Sequence, residues 1–292
     1  MRGRWLDFYL WRRPALFSSH RDYEKTSFAA YGFPIDLTSG FRPGSRFGPQ
    51  AIRESSERIE NPYGESVLDL ADLGDLPPTN SLRMALKRVW RVVREIVGDG
   101  KIPLGIGGEH TMTLASASAA CREGCGLMIF DAHFDMRDEY LDTRVNSATW
   151  LRRLIEKKRL SIMVVGVRGF SAEERAYAEE NGVTYYLSED VESRFSLVAD
   201  EVEEFVSRNS NIYLSLDIDV LDPAYAPGTT YPEPCGISPT KLYELLRRAC
   251  KGRITGFDVT EVNPLYDNGQ SALYAAKAIL EVLSAATISS KT

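Results

Sequence analysis

An α/β fold, with a parallel sheet covered by helices on both faces, is the fold class this sequence predicts. Eight short apolar, β-rich runs recur along it, amphipathic stretches separate most of them, and no low-complexity linker or repeat divides its 292 residues. In chain order the runs are Ala29–Ile35, Val67–Leu70, Ile102–Ile106, Gly126–Asp131, Ile162–Val165, Val183–Leu187, Ile212–Asp217 and Ile254–Val259. Most read apolar on both faces, as strands buried between two helical layers must. The clearest helix is Ser81–Val97, where Leu82, Leu86, Val89, Val93, Ile96 and Val97 follow a 3.6-residue period. Ser238 before Pro239 marks another helix start, an N-cap followed by a residue that suits the first turn. The simplest account is one domain spanning residues 1–292.

Composition narrows the partners. A hydrophobic fraction of 43% with 26% charged residues permits a large core, and a net charge of −6 gives no general attraction to nucleic acid or anionic membrane. A small cationic ligand is compatible with that balance. Cys121, Cys125, Cys235 and Cys250 form no CxxC pair, and a chain of this size does not need disulfides, so a reducing, cytoplasmic setting is expected. The Arg- and aromatic-rich stretch Met1–Phe17 lacks the long apolar core and small-residue cleavage site of a targeting signal, and reads as an edge segment packed on the domain. No run approaches the roughly 20 apolar residues of a membrane span.

Ligands of open parallel sheets bind beyond the carboxyl ends of the strands, so chemistry is expected just after the apolar runs. It is found there. Gly107-Gly108-Glu109-His110 follows one run, Asp131-Ala132-His133-Phe134-Asp135 another, and Asp217-Ile218-Asp219 closes a third. A lone histidine is usually a satisfied core residue, and an aspartate after a strand usually caps a helix or turn. Two of only three histidines lie here beside four aspartates. Such crowded carboxylates repel one another unless cations neutralise them, and an oxygen-rich set with imidazole suits a first-row divalent ion, Mn2+ ahead of Zn2+. Glu261 follows the last run, and Gly40–Arg53 is a Gly- and Pro-rich loop with three arginines that reads equally well as a structural turn.

These motifs, with RPGSRFGPQAIR at Arg42–Arg53, SLDIDVLDPAYAPG at Ser215–Gly228 and EVNP at Glu261–Pro264, resemble the ureohydrolases, the arginase and agmatinase family, and agmatinase-like members in particular. The resemblance runs from Gly40 past Glu261. It implies a three-layer α/β/α sandwich with an eight-stranded parallel sheet, assembled as a homo-trimer or hexamer. It also implies two Mn2+ ions per chain, one held by His110, Asp131, Asp135 and Asp217 and the other by His133, Asp131, Asp217 and Asp219. Two such ions lower the pKa of a shared water, which attacks the guanidinium carbon and releases urea and an amine. By the same resemblance Asp135 orients that water and passes its proton on, and Glu261 pairs with the guanidinium. Agmatine, yielding putrescine for polyamine synthesis, is the expected substrate.

Two positions depart from the family pattern. Ser147 in Val145-Asn146-Ser147-Ala148 stands where most members carry a proton-shuttling histidine, and His20 is the only other histidine that could replace it. Tyr231 stands where agmatinase-like members have a small residue; it either packs against the helix layer or narrows the pocket. Ser147 keeps open a formimidoylglutamase-like amidine hydrolase, or a metal-binding paralogue with little catalysis, whereas Leu221–Pro223 argues for the agmatinase side. A single-zinc deacetylase would be separated by metal stoichiometry.

Overall fold

The computed structural model describes residues 15–19, 21–64 and 67–289. Its centre is one eight-stranded sheet: β1 (Phe28–Phe33), β2 (Leu70–Asp75), β3 (Ile102–Gly107), β4 (Cys125–Phe130), β5 (Ser161–Val167), β6 (Thr184–Leu187), β7 (Asn211–Asp217) and β8 (Ile254–Thr260). The order across the sheet is β2-β1-β3-β8-β7-β4-β5-β6, with every pair parallel. Parallel neighbours need crossovers, and helices supply them.

Those helices are α1 (Gly48–Ser56), α2 (Leu82–Gly98), α3 (Met112–Ala120), α4 (Trp150–Ile155), α5 (Ala172–Glu180), α6 (Ser188–Ser193), α7 (Phe195–Arg208), α8 (Pro239–Ala249) and α9 (Gln270–Ser289). Two separate cores show the layering. Ile52, Val191, Val198, Leu242 and Ile279 bring α1 and α6 to α9 onto one face of the sheet. Val89, Met112, Trp150 and Ala178 bring α2 to α5 onto the other. Strand β4 feeds both, with Met128 and Phe130 in the first core and Leu127 and Ile129 in the second, as the two-residue period of a strand requires.

Helix α2 forms as its periodicity predicts. Val89, Val92, Val93 and Ile96 are wholly buried, each such side chain contributing about 1.5–3 kcal/mol, and the Ser81 hydroxyl accepts from the Met84 amide at 3.4 Å. At α8 the position is as expected but the chemistry differs: Ser238 occupies the N-cap without a side-chain cap bond, and its amide donates instead to Glu192 at 3.0 Å.

Strand β2 corrects the expected run Val67–Leu70, since it begins where that run ends and continues through Asp72 to Asp75. Two aspartates in six residues look like a turn. They are tolerated because Arg53 of α1 is buried beside them, with Nε 2.7 Å from Asp72 and Nη1 2.6 Å from Asp75. Reading all four cysteines as thiols is also corrected: Cys121, at the end of α3, is disulfide-bonded to Cys125, which opens β4, across a turn with Gly124 at φ 77°. Cys235 and Cys250 take part in no disulfide. Of Met1–Phe17, residues 1–14 lie outside the described residues; Leu16 is buried and its amide donates to Asp72 at 2.8 Å. Among the described residues no helix is long and apolar enough to cross a membrane.

Candidate metal centre and its cavity

The centre sits over the carboxyl ends of the middle strands β3, β8, β7 and β4. Gly108, just past β3, shows how the backbone places it. Its amide donates to the Phe33 carbonyl and its carbonyl accepts from the Glu261 amide, both at 2.8 Å. A Cβ there would lie 1.9 Å from the Ile35 carbonyl, so only glycine lets the segments after β1, β3 and β8 meet this closely. His110 and Glu261 are thereby aimed at one place, the His110 amide donating to Glu261 Oε1 at 2.7 Å.

From β4 come Asp131, His133 and Asp135. Asp135 adopts a left-handed backbone, φ 53°, and its carboxylate accepts from Trp150 Nε1 at 2.7 Å. Glu261 is left-handed too, at φ 60°. Non-glycine residues adopt this region at a cost, and here the turn carries each carboxylate back over the strand ends. Strand β7 ends in Asp217, and a single 3-10 turn, Ile218–Val220, brings round Asp219, whose amide donates to Asp217 at 2.9 Å.

Two groups result. His110 Nδ1 lies 3.0 Å from Asp131, 3.2 Å from Asp135 and 3.3 Å from Asp217. His133 Nδ1 lies 3.0 Å from Asp219 and 3.5 Å from Asp131. Asp131 belongs to both, and within each group the potential ligand atoms of His110, Asp131 and Asp217, or of Asp131, His133 and Asp219, lie within 4.8 Å of one another.

Electrostatics explains what this arrangement lacks. Burial pushes the Asp217 carboxyl well up, with Asp219 and Asp131 adding to the effect. Burial and Asp131 raise Asp135 to about 6. Asp131 is held below the usual range, despite burial, by the imidazoles of His110 and His133 beside it. Four carboxylates share a nearly dry space with two imidazoles, and positive charge is the missing component.

His110 shows that metal ions fit. Asp258 Oδ1 accepts from the Ser215 hydroxyl at 2.6 Å, while Tyr213, Ser116 and Thr113 donate to the same carboxylate at 2.6–3.1 Å. Ser215 has one proton, and giving it to Asp258 leaves its oxygen to accept from His110 Nε2 at 2.9 Å. Nδ1 then carries a bare lone pair towards three carboxylates, and it is a buried polar atom with no hydrogen-bond partner. An electron pair facing oxygens is repulsive unless a cation lies between them. Two divalent ions would balance the four carboxylates Asp131, Asp135, Asp217 and Asp219.

A cavity of about 250 Å³ opens above this centre, lined by His110, His133, Asp135, Asp217, Asp219 and Glu261, and also by Ser147, Tyr231, Tyr140 and Glu233. Tyr231 is therefore a cavity residue rather than mere helix packing, and Ser147 lines the same cavity. Burial raises the Glu261 carboxyl to about 8, against hydrogen bonds from Thr230 and the His110 amide. A cation set against Glu261 would ionise it. His20 lies outside the described residues.

Sequence reasoning did not single out several supporting residues. Asp258 carried a signal, a charge inside an otherwise apolar strand, and Ser215 had only its place on the same face of the neighbouring strand. Glu233 lies 3.7 Å from His133 Nε2. Glu109 holds the loop after β1 through the Thr38 amide at 2.7 Å, and the Thr38 hydroxyl accepts from the Ser147 amide at 3.2 Å. Arg168 donates to the carbonyls of Gly166, Asp219, Val220, Leu221, Glu233 and Pro234 at 2.6–3.2 Å, tying the loops after β5 and β7 together. The Gly40–Arg53 loop proves largely structural, through Arg53 and through the Arg42 carbonyl, which accepts from Asn263 at 2.8 Å.

Known proteins share this architecture. The human mitochondrial guanidino acid hydrolase is 36% identical over 275 residues, covering 88% of this chain and 77% of its own. The agmatinase of Bacillus subtilis is 34% identical over 282 residues, covering 91% and 94%. The crystal structure of the agmatine ureohydrolase of Thermoplasma volcanium superposes with a TM-score of 0.87 at 31% identity, covering 96% of this chain and 97% of that one. Residues 26–284 match the family model described as the arginase family, and with these relatives alongside, the chain belongs to the arginase family.

Proposed function

We propose that the chain is a binuclear-metal amidinohydrolase that cleaves a small guanidino compound to urea and an amine. One observation carries this reading: two histidine–carboxylate groups sharing Asp131 form the floor of the cavity whose wall presents Glu261. Two Mn2+ ions, when bound, would supply the Lewis acidity that lowers the pKa of a water. His110, Asp131, Asp135 and Asp217 would hold one ion, and His133, Asp131, Asp217 and Asp219 the other. Glu261 takes the planar guanidinium in parallel hydrogen bonds, which also ionise its carboxyl. Asp135 takes a proton from the attacking water and hands it to the departing amine.

Agmatine is the first substrate to test, given the likeness to agmatinases, and a guanidino acid is the next, given the comparable likeness to the human hydrolase. Ser147 in the cavity wall favours testing a formimidoyl compound as well. Mn2+-loaded protein is expected to release urea from agmatine, guanidinobutyrate or arginine, and a chelator to stop it. Formamide from formiminoglutamate alone would move the reading to an amidine hydrolase. Two bound ions with no product from any of these compounds would overturn it in favour of a metal-binding paralogue.

A further inference from the structure

Tyr231 is fastened at both ends. Its ring lies edge-on to His133, with centroids 6.3 Å apart, so it stands directly beside the candidate metal centre. Its hydroxyl is 3.3 Å from that of Tyr140 and sits close against Gly40. The approach to Gly40 is close enough that a Cβ there would lie 2.4 Å from the Tyr231 oxygen, so a larger residue at position 40 would displace the phenol. Phe41 backs the outer side, with ring centroids 6.0 Å apart. Loops after β1, β4 and β7 are thus joined through one phenol at the edge of a cavity of about 250 Å³.

A loosely held aromatic side chain can swing aside for a bulky ligand at little cost. This one would have to give up its hydrogen bond to Tyr140 and its packing against Phe41 and His133 first. We propose that Tyr231, held by Gly40 and Tyr140, is a fixed wall that limits the substrate tail and selects compact, unbranched guanidino compounds. The assignment rests on the function proposed above, in that the head of the substrate is placed at Glu261 and the tail leads outward past Tyr231. Tyr231 acts on specificity by occupying volume, and Tyr140 is a positioning residue acting through it.

The test compares wild type, Y231A and Y140F across a series of n-alkylguanidines of increasing chain length together with agmatine and arginine. Both kcat/KM for urea release and the binding affinity of Mn2+-loaded protein by calorimetry are read. For the wild type, both are expected to fall with tail length and branching. Y231A is expected to improve the ratio of long to short compounds by about tenfold or more, since even one methylene in a closed pocket is worth ~10–200-fold. Y140F should move the same ratio in the same direction by less, and it serves alone if Y231A does not fold. An unchanged ratio in folded variants overturns the wall. The affinities decide this even if no compound is hydrolysed, so failure of the catalytic reading and failure of the wall remain distinguishable.

Discussion

Ser215 shows how much of a metal site depends on residues that never touch the metal. Its hydroxyl passes the demand of Asp258 to His110 and so fixes which imidazole nitrogen keeps its proton. Ser215→Ala should leave the fold intact by circular dichroism but weaken metal binding by about 10- to 100-fold in a titration followed by elemental analysis. Unchanged affinity would mean that the imidazole is oriented by packing against Trp150 instead, 4.7 Å away between ring centroids. Ser147 poses the opposite question. A serine cannot exchange a proton near neutral pH as imidazole does, so Ser147→His is expected to raise kcat, by as much as ~10²-fold if proton transfer limits turnover. A flat rate would show that the role is filled elsewhere or is not needed. At this scale the cluster of His110, His133 and four aspartates could be read because two of only three histidines stand beside paired carboxylates just after strands. Ser215, Arg168 and Thr38 could not, because serine, arginine and threonine there look like any others until the strands are placed side by side.

Among the elements, β2 was the least legible. Hydrophobicity points to Val67–Leu70, whereas the strand is held by what hydrophobicity penalises, two buried carboxylates satisfied by Arg53 twenty residues earlier in the chain. Burial lowers the guanidinium's proton affinity, but hydrogen bonds and charge from Asp72 and Asp75 more than restore it and leave its pKa raised. Removing one partner of such a set strands the others. Arg53→Met is expected to cost about 3–5 kcal/mol, measured as a shift of the denaturation midpoint, with damage centred on the β1–β2 edge in hydrogen exchange. A cost below 1 kcal/mol would show that water or a shifted side chain replaces the arginine. Helix α2 was legible because nothing polar competes with its apolar stripe.

For the molecule as a whole, eight apolar runs alternating with amphipathic stretches pointed to a covered parallel sheet, and the sheet forms. What that pattern could not supply was strand order, which depends on where each crossover lands. Only the order β3-β8-β7-β4 places the four contributing segments side by side. The same layout concentrates negative charge at one end of the sheet, so metal and stability should be linked. Chelation is expected to lower Tm, and each ion present at 100 times its Kd contributes ~2.7 kcal/mol. A Tm indifferent to chelator in protein shown to have held metal would mean that the carboxylates take up protons and the fold does not notice.

Arg168 makes the fold around the cavity tolerant of heritable change. Among the described residues, its guanidinium donates only to main-chain carbonyls, of Gly166, Asp219, Val220, Leu221, Glu233 and Pro234. Such a clamp is blind to side-chain identity. Mutation can rewrite the loop that carries Tyr231 and Glu233, and with it the shape of the cavity, while the backbone behind Asp219 stays anchored. One arginine thus separates the loop that shapes the cavity from the backbone that holds Asp219.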